Sequence, residues 1–227
     1  ATGKPVVLVN FSGRSTVMNW ENDNFSAILN VWFGGSEAGD AICDVLFGDK
    51  VPSGRLTVSM PKSVGQLPLY YNHLNTGRPQ SEERPFDKFR SNYIDIDNNP
   101  LYPFGYGLSY TTFKYGPLQL DANSMTVDGQ IKVTVPVTNT GNRDADEVVQ
   151  LYLNDVAASI ARPVKELKDF ARISLRAGET RNVTFTITAE KLKFYNSELQ
   201  YVCEPGLFKV MVGPNSRDTQ TATFTLQ

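Results

Sequence analysis

In the second half of the chain, run after run places an apolar residue at every other position. Ile131, Val133, Val135 and Val137 are followed by Val149, Leu151 and Leu153, then by Val183, Phe185 and Ile187. Phe208, Val210 and Val212 come next, and Ala222, Phe224 and Leu226 close the chain. Successive side chains of a strand point to opposite faces, so this period buries one face of a sheet and wets the other. Turn-prone groups such as Asn139-Thr-Gly-Asn142 separate the runs. Short strands so spaced predict an antiparallel β-sandwich of about 110 residues, over 114–227.

The first half reads differently. Pro5-Val-Val-Leu-Val-Asn10 and Phe25-Ser-Ala-Ile-Leu-Asn-Val-Trp-Phe33 are continuous apolar runs, the pattern of parallel strands buried on both faces. After Gly34-Gly35, Ser36 is expected to cap a helix with Ala38, Ala41, Ile42, Val45 and Leu46 on its apolar stripe and Gly48 at its end. Two such strands require neighbouring strands and covering helices that residues 1–62 do not supply. These residues are therefore expected to be the C-terminal part of an α/β sandwich domain whose earlier part is missing. The fold class is α/β plus all-β. The immunoglobulin Cys-Trp-Cys pattern is absent from the second half, so a fibronectin III-like (immunoglobulin-like) β-sandwich fits better there.

Between these halves lies a connector with an aromatic joint, 63–113. Pro52-Ser-Gly-Arg-Leu-Thr-Val-Ser-Met-Pro61 predicts a turn and a short strand, after which Lys62 to Pro100 is irregular. A segment this long without periodicity is a functional loop or a linker, and both readings stay open. It leads into Leu101-Tyr-Pro-Phe-Gly-Tyr-Gly-Leu-Ser-Tyr-Thr-Thr-Phe113, too apolar for a free linker and too broken for a helix. A buried joint is expected, with an ordinary strand-turn-strand inside a single domain as the alternative.

A net charge of −2 and a pI near 5.5 give no basic face for nucleic acid or an anionic membrane. No apolar run approaches the length that spans a bilayer. The chain starts at Ala1 with neither Met nor signal peptide, which is the expectation for a processed chain or a piece of one. Cys43 and Cys203 show no CxxC spacing and are expected to be unpaired, packed thiols. The single histidine, His73, is expected to be a loop residue.

Carboxylates for acid–base work would come from Asp40, Asp44 and Asp49, or from Glu82, Glu83, Asp87, Asp95 and Asp97. Asp40 and Asp44 read as a solvated helix face. The Glu82-Glu83-Arg84 group reads as a solvated loop. Gly34-Gly35 lacks the rest of a phosphate-binding motif, and Thr57-Val-Ser59 lacks the glycines of a nucleophile elbow.

Longer motifs carry a resemblance. Ala27-Ile-Leu-Asn-Val-Trp-Phe-Gly-Gly-Ser-Glu-Ala-Gly-Asp-Ala-Ile-Cys-Asp-Val-Leu-Phe-Gly-Asp49, Pro52-Ser-Gly-Arg-Leu56 and Tyr102 to Phe113 resemble the C-terminal part of the family 3 glycoside hydrolases, particularly bacterial β-glucosidases. Val137-Thr-Asn-Thr-Gly141, Arg162-Pro-Val-Lys-Glu-Leu-Lys-Asp-Phe170 and Ala177-Gly-Glu179 resemble the fibronectin III-like domain that ends many of these enzymes. The resemblance implies a retaining enzyme, with two carboxylates about 5–5.5 Å apart and no cofactor. It places the aspartate nucleophile, in a Ser-Asp-Trp-like motif, and the glutamate acid/base upstream of this chain. No Ser-Asp-Trp is present, and the lone His73 follows Asn72 where the family's sugar-binding pair is Lys-His. No catalytic, cofactor-binding or metal-ligating residue is therefore carried over.

What the resemblance leaves is a substrate rim. The segment between the two domains runs near the active-site entrance in relatives, which makes Asn75 and Arg78 candidate contacts beyond the cleaved sugar. Trp32 is expected to pack rather than to stack on sugar. The chain alone is expected to be inactive, with a structural or interface role. Its partners would be the upstream domains, a β-glucoside or oligosaccharide bound by the whole enzyme, and a second copy in a homodimer. The implied location is periplasmic or secreted. The alternative is a stand-alone β-sandwich that binds carbohydrate or protein; a patch of exposed aromatics would favour it, and the sequence offers mostly scattered ones, Tyr152, Tyr195 and Tyr201.

Overall fold

The computed structural model describes residues 3–79 and 88–227. β1 (Val7–Asn10) and β2 (Ala27–Asn30) pair in parallel, Val7 opposite Ala27 and Asn10 opposite Asn30. Parallel strands need a crossover, which the short helix α1 (Asn19–Asn24) supplies. α2 (Ala38–Phe47) ends at Gly48, whose φ of 85° is the left-handed conformation that glycine adopts without penalty. Its start differs from expectation: Glu37, not Ser36, holds the N-cap position and makes no side-chain cap. Ser36 and Glu37 instead form a turn closed by the Ala38 N–H on Gly35 O at 3.1 Å.

The expected two-sided burial of β1 and β2 is also not met. Val7 is exposed, the rest of β1 is half-buried, and α2 has no buried residue. Phe11, Phe33, Leu46 and Phe47 are exposed too, because no further layer lies over this side among the described residues.

Residues 55–60 do not form the predicted strand. They run beside the joint, with Met60 N–H on Tyr102 O at 2.8 Å and Gly105 N–H on Leu56 O at 2.7 Å, but only Met60 and Tyr102 form a bridge. The turn at Gly105, φ 80°, breaks the ladder. The joint itself is packed as expected at its centre, where Pro103 and Gly105 are buried and Tyr102 stacks on Tyr106 at 5.2 Å. Its far end, including Leu108 and Tyr110, is exposed. The connector's described residues from Lys62 to Pro100 are irregular apart from a 3-10 turn at Val64–Gln66.

The sandwich follows. Its strands are β3 (Phe113–Tyr115), β4 (Gln119–Leu120), β5 (Ser124–Met125), β6 (Gln130–Asn139), β7 (Ala145–Asp155), β8 (Glu166–Leu175) and β9 (Thr180–Thr188). After the short helix α3 (Ala189–Leu192) come β10 (Phe194–Tyr195), β11 (Tyr201–Val202), β12 (Gly206–Gly213) and β13 (Gln220–Leu226). One sheet runs β5-β13-β12-β7-β8; in the other, β6 pairs with β3 and β4 on one side and β9 on the other. The alternating residues meet between the sheets: Val133, Val135, Val149, Leu151, Ile187, Val210 and Phe224 are all at most 1% exposed. Each such side chain contributes about 1.5–3 kcal/mol through removal from water.

β7 departs from alternation in an informative way. Gln150 and Tyr152, which alternate with the core residues Val149 and Leu151, are buried as well. The aromatic joint covers that face: Gln150 donates to Gly105 O at 3.1 Å and to Pro214 O at 2.6 Å. Asn139 seals the nearby β6–β7 turn. It is fully buried, donates to Arg143 O and Leu175 O, and accepts from Thr111 Oγ1 at 2.6 Å and the Gly141 N–H, as a buried amide must.

Candidate functional site

Asn75 and Arg78 are both exposed on the connector. Asn75 Oδ1 accepts the Gly77 N–H at 3.0 Å, an Asx-type turn that needs the positive φ of 78° at Gly77. Arg78 O accepts the Ser91 N–H at 2.9 Å, and Arg90 Nη1 donates to Pro79 O at 3.0 Å. The segment is thus a closed loop that presents two polar side chains to solvent. Glu82, Glu83 and Asp87 lie outside the described residues.

The other carboxylates are in structural roles or in solvent. Asp95 is exposed, and Asp97 pairs with Lys62 at 2.7 Å. Burial raises the Asp97 carboxyl, but hydrogen bonds from Lys62 and the Asn99 N–H outweigh it and hold the group below its usual value. On α2, Asp40 is exposed as expected while Asp44 is half-buried; Asp49 is exposed. Among the described residues no His, Cys, Asp and Glu group could hold a metal.

Several sequence candidates resolve into packing. A Cβ on Gly34 would stand 2.3 Å from that of Ala38, which explains this glycine without a phosphate. Trp32 is half-buried at a φ of 53°. The two thiols are free, as expected, but Cys43 is exposed rather than packed, and only Cys203 is half-buried, its pKa raised chiefly by burial. Cys43 sits on the uncovered side of α2, which is why its expected burial fails. Tyr152 is fully buried rather than exposed. Tyr195 and Tyr201, however, form a cross-strand pair 4.9 Å apart, both exposed.

Sequence reasoning missed one buried charge cluster. Arg55 Nη2 meets Glu147 Oε2 at 2.6 Å, and Tyr115 Oη donates to Glu147 Oε1 at 3.0 Å. Burial pushes Glu147 up, more than Arg55 and the Tyr115 hydroxyl pull it down. Burial and the Glu147 charge push Tyr115 far above the usual phenol range. Arg55 and Glu147 are 92 positions apart in sequence, and Tyr115 and Glu147 are 32 apart, so no local pattern could pair them. This is an interlock between the first half and the sandwich, closed to solvent and to substrate.

The chain's two halves match two sequence families. Residues 1–110 match the glycosyl hydrolase family 3 C-terminal domain, and residues 147–216 match the fibronectin type III-like domain. By its residues 1–110 the chain carries the C-terminal domain of glycosyl hydrolase family 3.

Its similarity to family 3 proteins runs through both halves. It is 51% identical over 226 residues to a protein named periplasmic beta-glucosidase of Salmonella typhimurium, which covers all of this chain and 29% of that protein. A beta-xylosidase of Formosa agariphila is 44% identical and is covered to 30%. Among solved structures, a beta-glucosidase from Listeria innocua in complex with glucose superposes with a TM-score of 0.93 at 44% identity, over 99% of this chain and 31% of that one. The chain thus spans about three tenths of the length of the curated family 3 relatives it matches. Among the described residues no helix is long and apolar enough to cross a membrane.

Proposed function

We propose that this chain is the C-terminal part of a retaining β-glucosidase, an enzyme that removes terminal β-linked glucosyl residues in carbohydrate catabolism, and that it holds no complete active site of its own. The observation that carries this reading is the 51% identity, across the whole chain, to a protein named a beta-glucosidase. The uncovered apolar side of β1, β2 and α2 supports it, since exposed Phe11, Phe33 and Phe47 fit a surface that further domains cover. The acid/base pair then belongs to those domains. In the whole enzyme, Asn75 and Arg78 form a rim that contacts sugar beyond the scissile bond. The sandwich buttresses the catalytic domains or makes a homodimer contact, and the enzyme works in the periplasm or outside the cell.

Hydrolysis of an aryl β-glucoside tests the reading. The purified chain is expected to be inert and the full-length protein active. Turnover by the isolated chain, or a full-length protein inert on β-glucosides, would sink it.

The exposed Tyr195–Tyr201 pair favours a second reading, a sandwich that binds glycan by ring stacking. Tyrosine fluorescence titrated with cello-oligosaccharides decides this, and an unchanged signal removes it.

A further inference from the structure

The connector has a tied neck. Besides the Lys62–Asp97 pair, the buried Gln66 side chain donates to Asp97 O at 2.9 Å and to Asn99 O at 3.2 Å. Beyond the neck, residues 71–74 lie against the sandwich. The Tyr71 ring stacks on Phe104 at 4.2 Å and meets the buried Tyr152 of β7 edge-on at 5.8 Å. Its hydroxyl accepts the Leu167 N–H of β8 at 3.3 Å. His73 O accepts the Val164 N–H at 2.9 Å, and Leu74 bridges antiparallel to Pro163.

The receiving segment is itself fixed. Asn154 Nδ2 donates to Pro163 O at 3.0 Å, and Lys165 Nζ to Ser216 O at 2.6 Å. Arg162 pairs with Glu166 at 2.7 Å and covers the Phe194 ring at 4.4 Å. These are the residues of the Arg162-Pro-Val-Lys-Glu-Leu167 motif, which the proposed function otherwise leaves without a task. Asn75 is the residue after the last contact of the clamp.

We propose that the fibronectin III-like sandwich works as the mount of the substrate rim, with Tyr71 as the positioning residue that fastens the connector to it. The inference rests on the reading of Asn75 and Arg78 as rim contacts, and it gives the sandwich a part in oligosaccharide recognition without touching sugar. A ring wedged between Phe104 and Tyr152, its hydroxyl held by the Leu167 N–H, together with the one backbone bond from Val164 to His73 O, holds the base of the loop. Placement at that base is what an exposed loop needs to keep its polar groups in register with a ligand. If Tyr71 merely filled space, its truncation would lower stability and leave substrate preference alone.

The test uses the full-length protein with Tyr71→Ala and Tyr71→Phe. Hydrogen exchange is followed at residues 72–79 and 88–92 and at the core strands β6 and β7. KM and kcat are measured on an aryl β-glucoside and on cellotetraose. Tyr71→Ala is expected to lose protection in the connector while β6 and β7 keep theirs. It should raise KM for cellotetraose about fivefold or more, with kcat on the aryl glucoside nearly unchanged, the signature of lost ground-state binding. Tyr71→Phe, which keeps the stack, should restore most of both effects. Unchanged connector exchange in Tyr71→Ala overturns the clamp. Lost protection with an unchanged cellotetraose KM overturns the mount. A wild-type protein without glycosidase activity instead overturns the β-glucosidase reading and the rim with it, while exchange still decides whether Tyr71 clamps the connector.

Discussion

The Arg55 guanidinium and the Glu147 carboxylate meet at 2.6 Å with their side chains 8% and 2% exposed, and they join the first half of the chain to β7. Removing one member of such a pair leaves a buried charge without a partner, at a cost of about 3–5 kcal/mol. Glu147→Ala is therefore expected to lower unfolding free energy by about that amount in urea denaturation. Replacing the whole cluster, with Arg55→Met, Tyr115→Phe and Glu147→Leu together, should recover most of the loss. A single variant costing under about 1 kcal/mol would show that the pair is not sealed from water.

Asp146, one residue away on β7, behaves oppositely with pH. The Ser174 hydroxyl holds its carboxyl below the usual value; partial burial opposes this, and Arg172 adds to the lowering. A folded pKa below the unfolded one gives stability that is present above the unfolded value, about 3.9, and is lost as pH falls through the folded value. Asp146→Asn should therefore be less stable than wild type at pH 6, by no more than about 1 kcal/mol for a pair this exposed. The two curves should converge in strong acid. A gap that stays constant down to pH 2 would assign the effect to lost packing instead.

Gly105 cannot be replaced quietly. It sits at a φ of 80°, and a Cβ there would stand 2.0 Å from Gln150 Oε1. The left-handed backbone alone costs a non-glycine residue about 1–2 kcal/mol, and Gln150 must also leave Gly105 O and Pro214 O. Gly105→Ala is expected to lose at least about 2 kcal/mol, or roughly 5 °C in Tm for a chain of this size. Gly35→Ala, with open space around its Cβ, serves as the control and should shift Tm little.

How much of this was legible follows from the range of each interaction. Val133, Val149, Phe185 and Val210 reveal the sandwich because alternation is written in neighbouring residues, and all are buried. Gly48 reveals the end of α2 for the same reason. Burial of β1 and β2 was misjudged, because their apolar runs describe a complete α/β layer that these residues do not contain. Ser36 failed as a cap because a tight turn, invisible to composition, intervenes before Ala38. Arg55, Glu147 and Tyr71 were silent, since their partners lie far along the chain. In the candidate site, Asn75 and Arg78 came from resemblance alone, and neither periodicity nor spacing marks them.

The uncovered apolar side of the first half gives the last prediction. Phe33 and Phe47 are each 82% exposed, with Phe11 at 60% nearby in sequence to β1. Side chains this large, left in water on an incomplete α/β layer, drive association in an isolated chain. Phe33→Ser with Phe47→Ser should lower self-association of the chain by light scattering without lowering its Tm, because neither ring is buried within it. In the full-length protein the same pair should be costly, by about 2 kcal/mol or more, if further domains cover these rings. A double variant that leaves full-length stability unchanged would mean that this side faces solvent there too, and the surface would then need a different explanation from a missing layer.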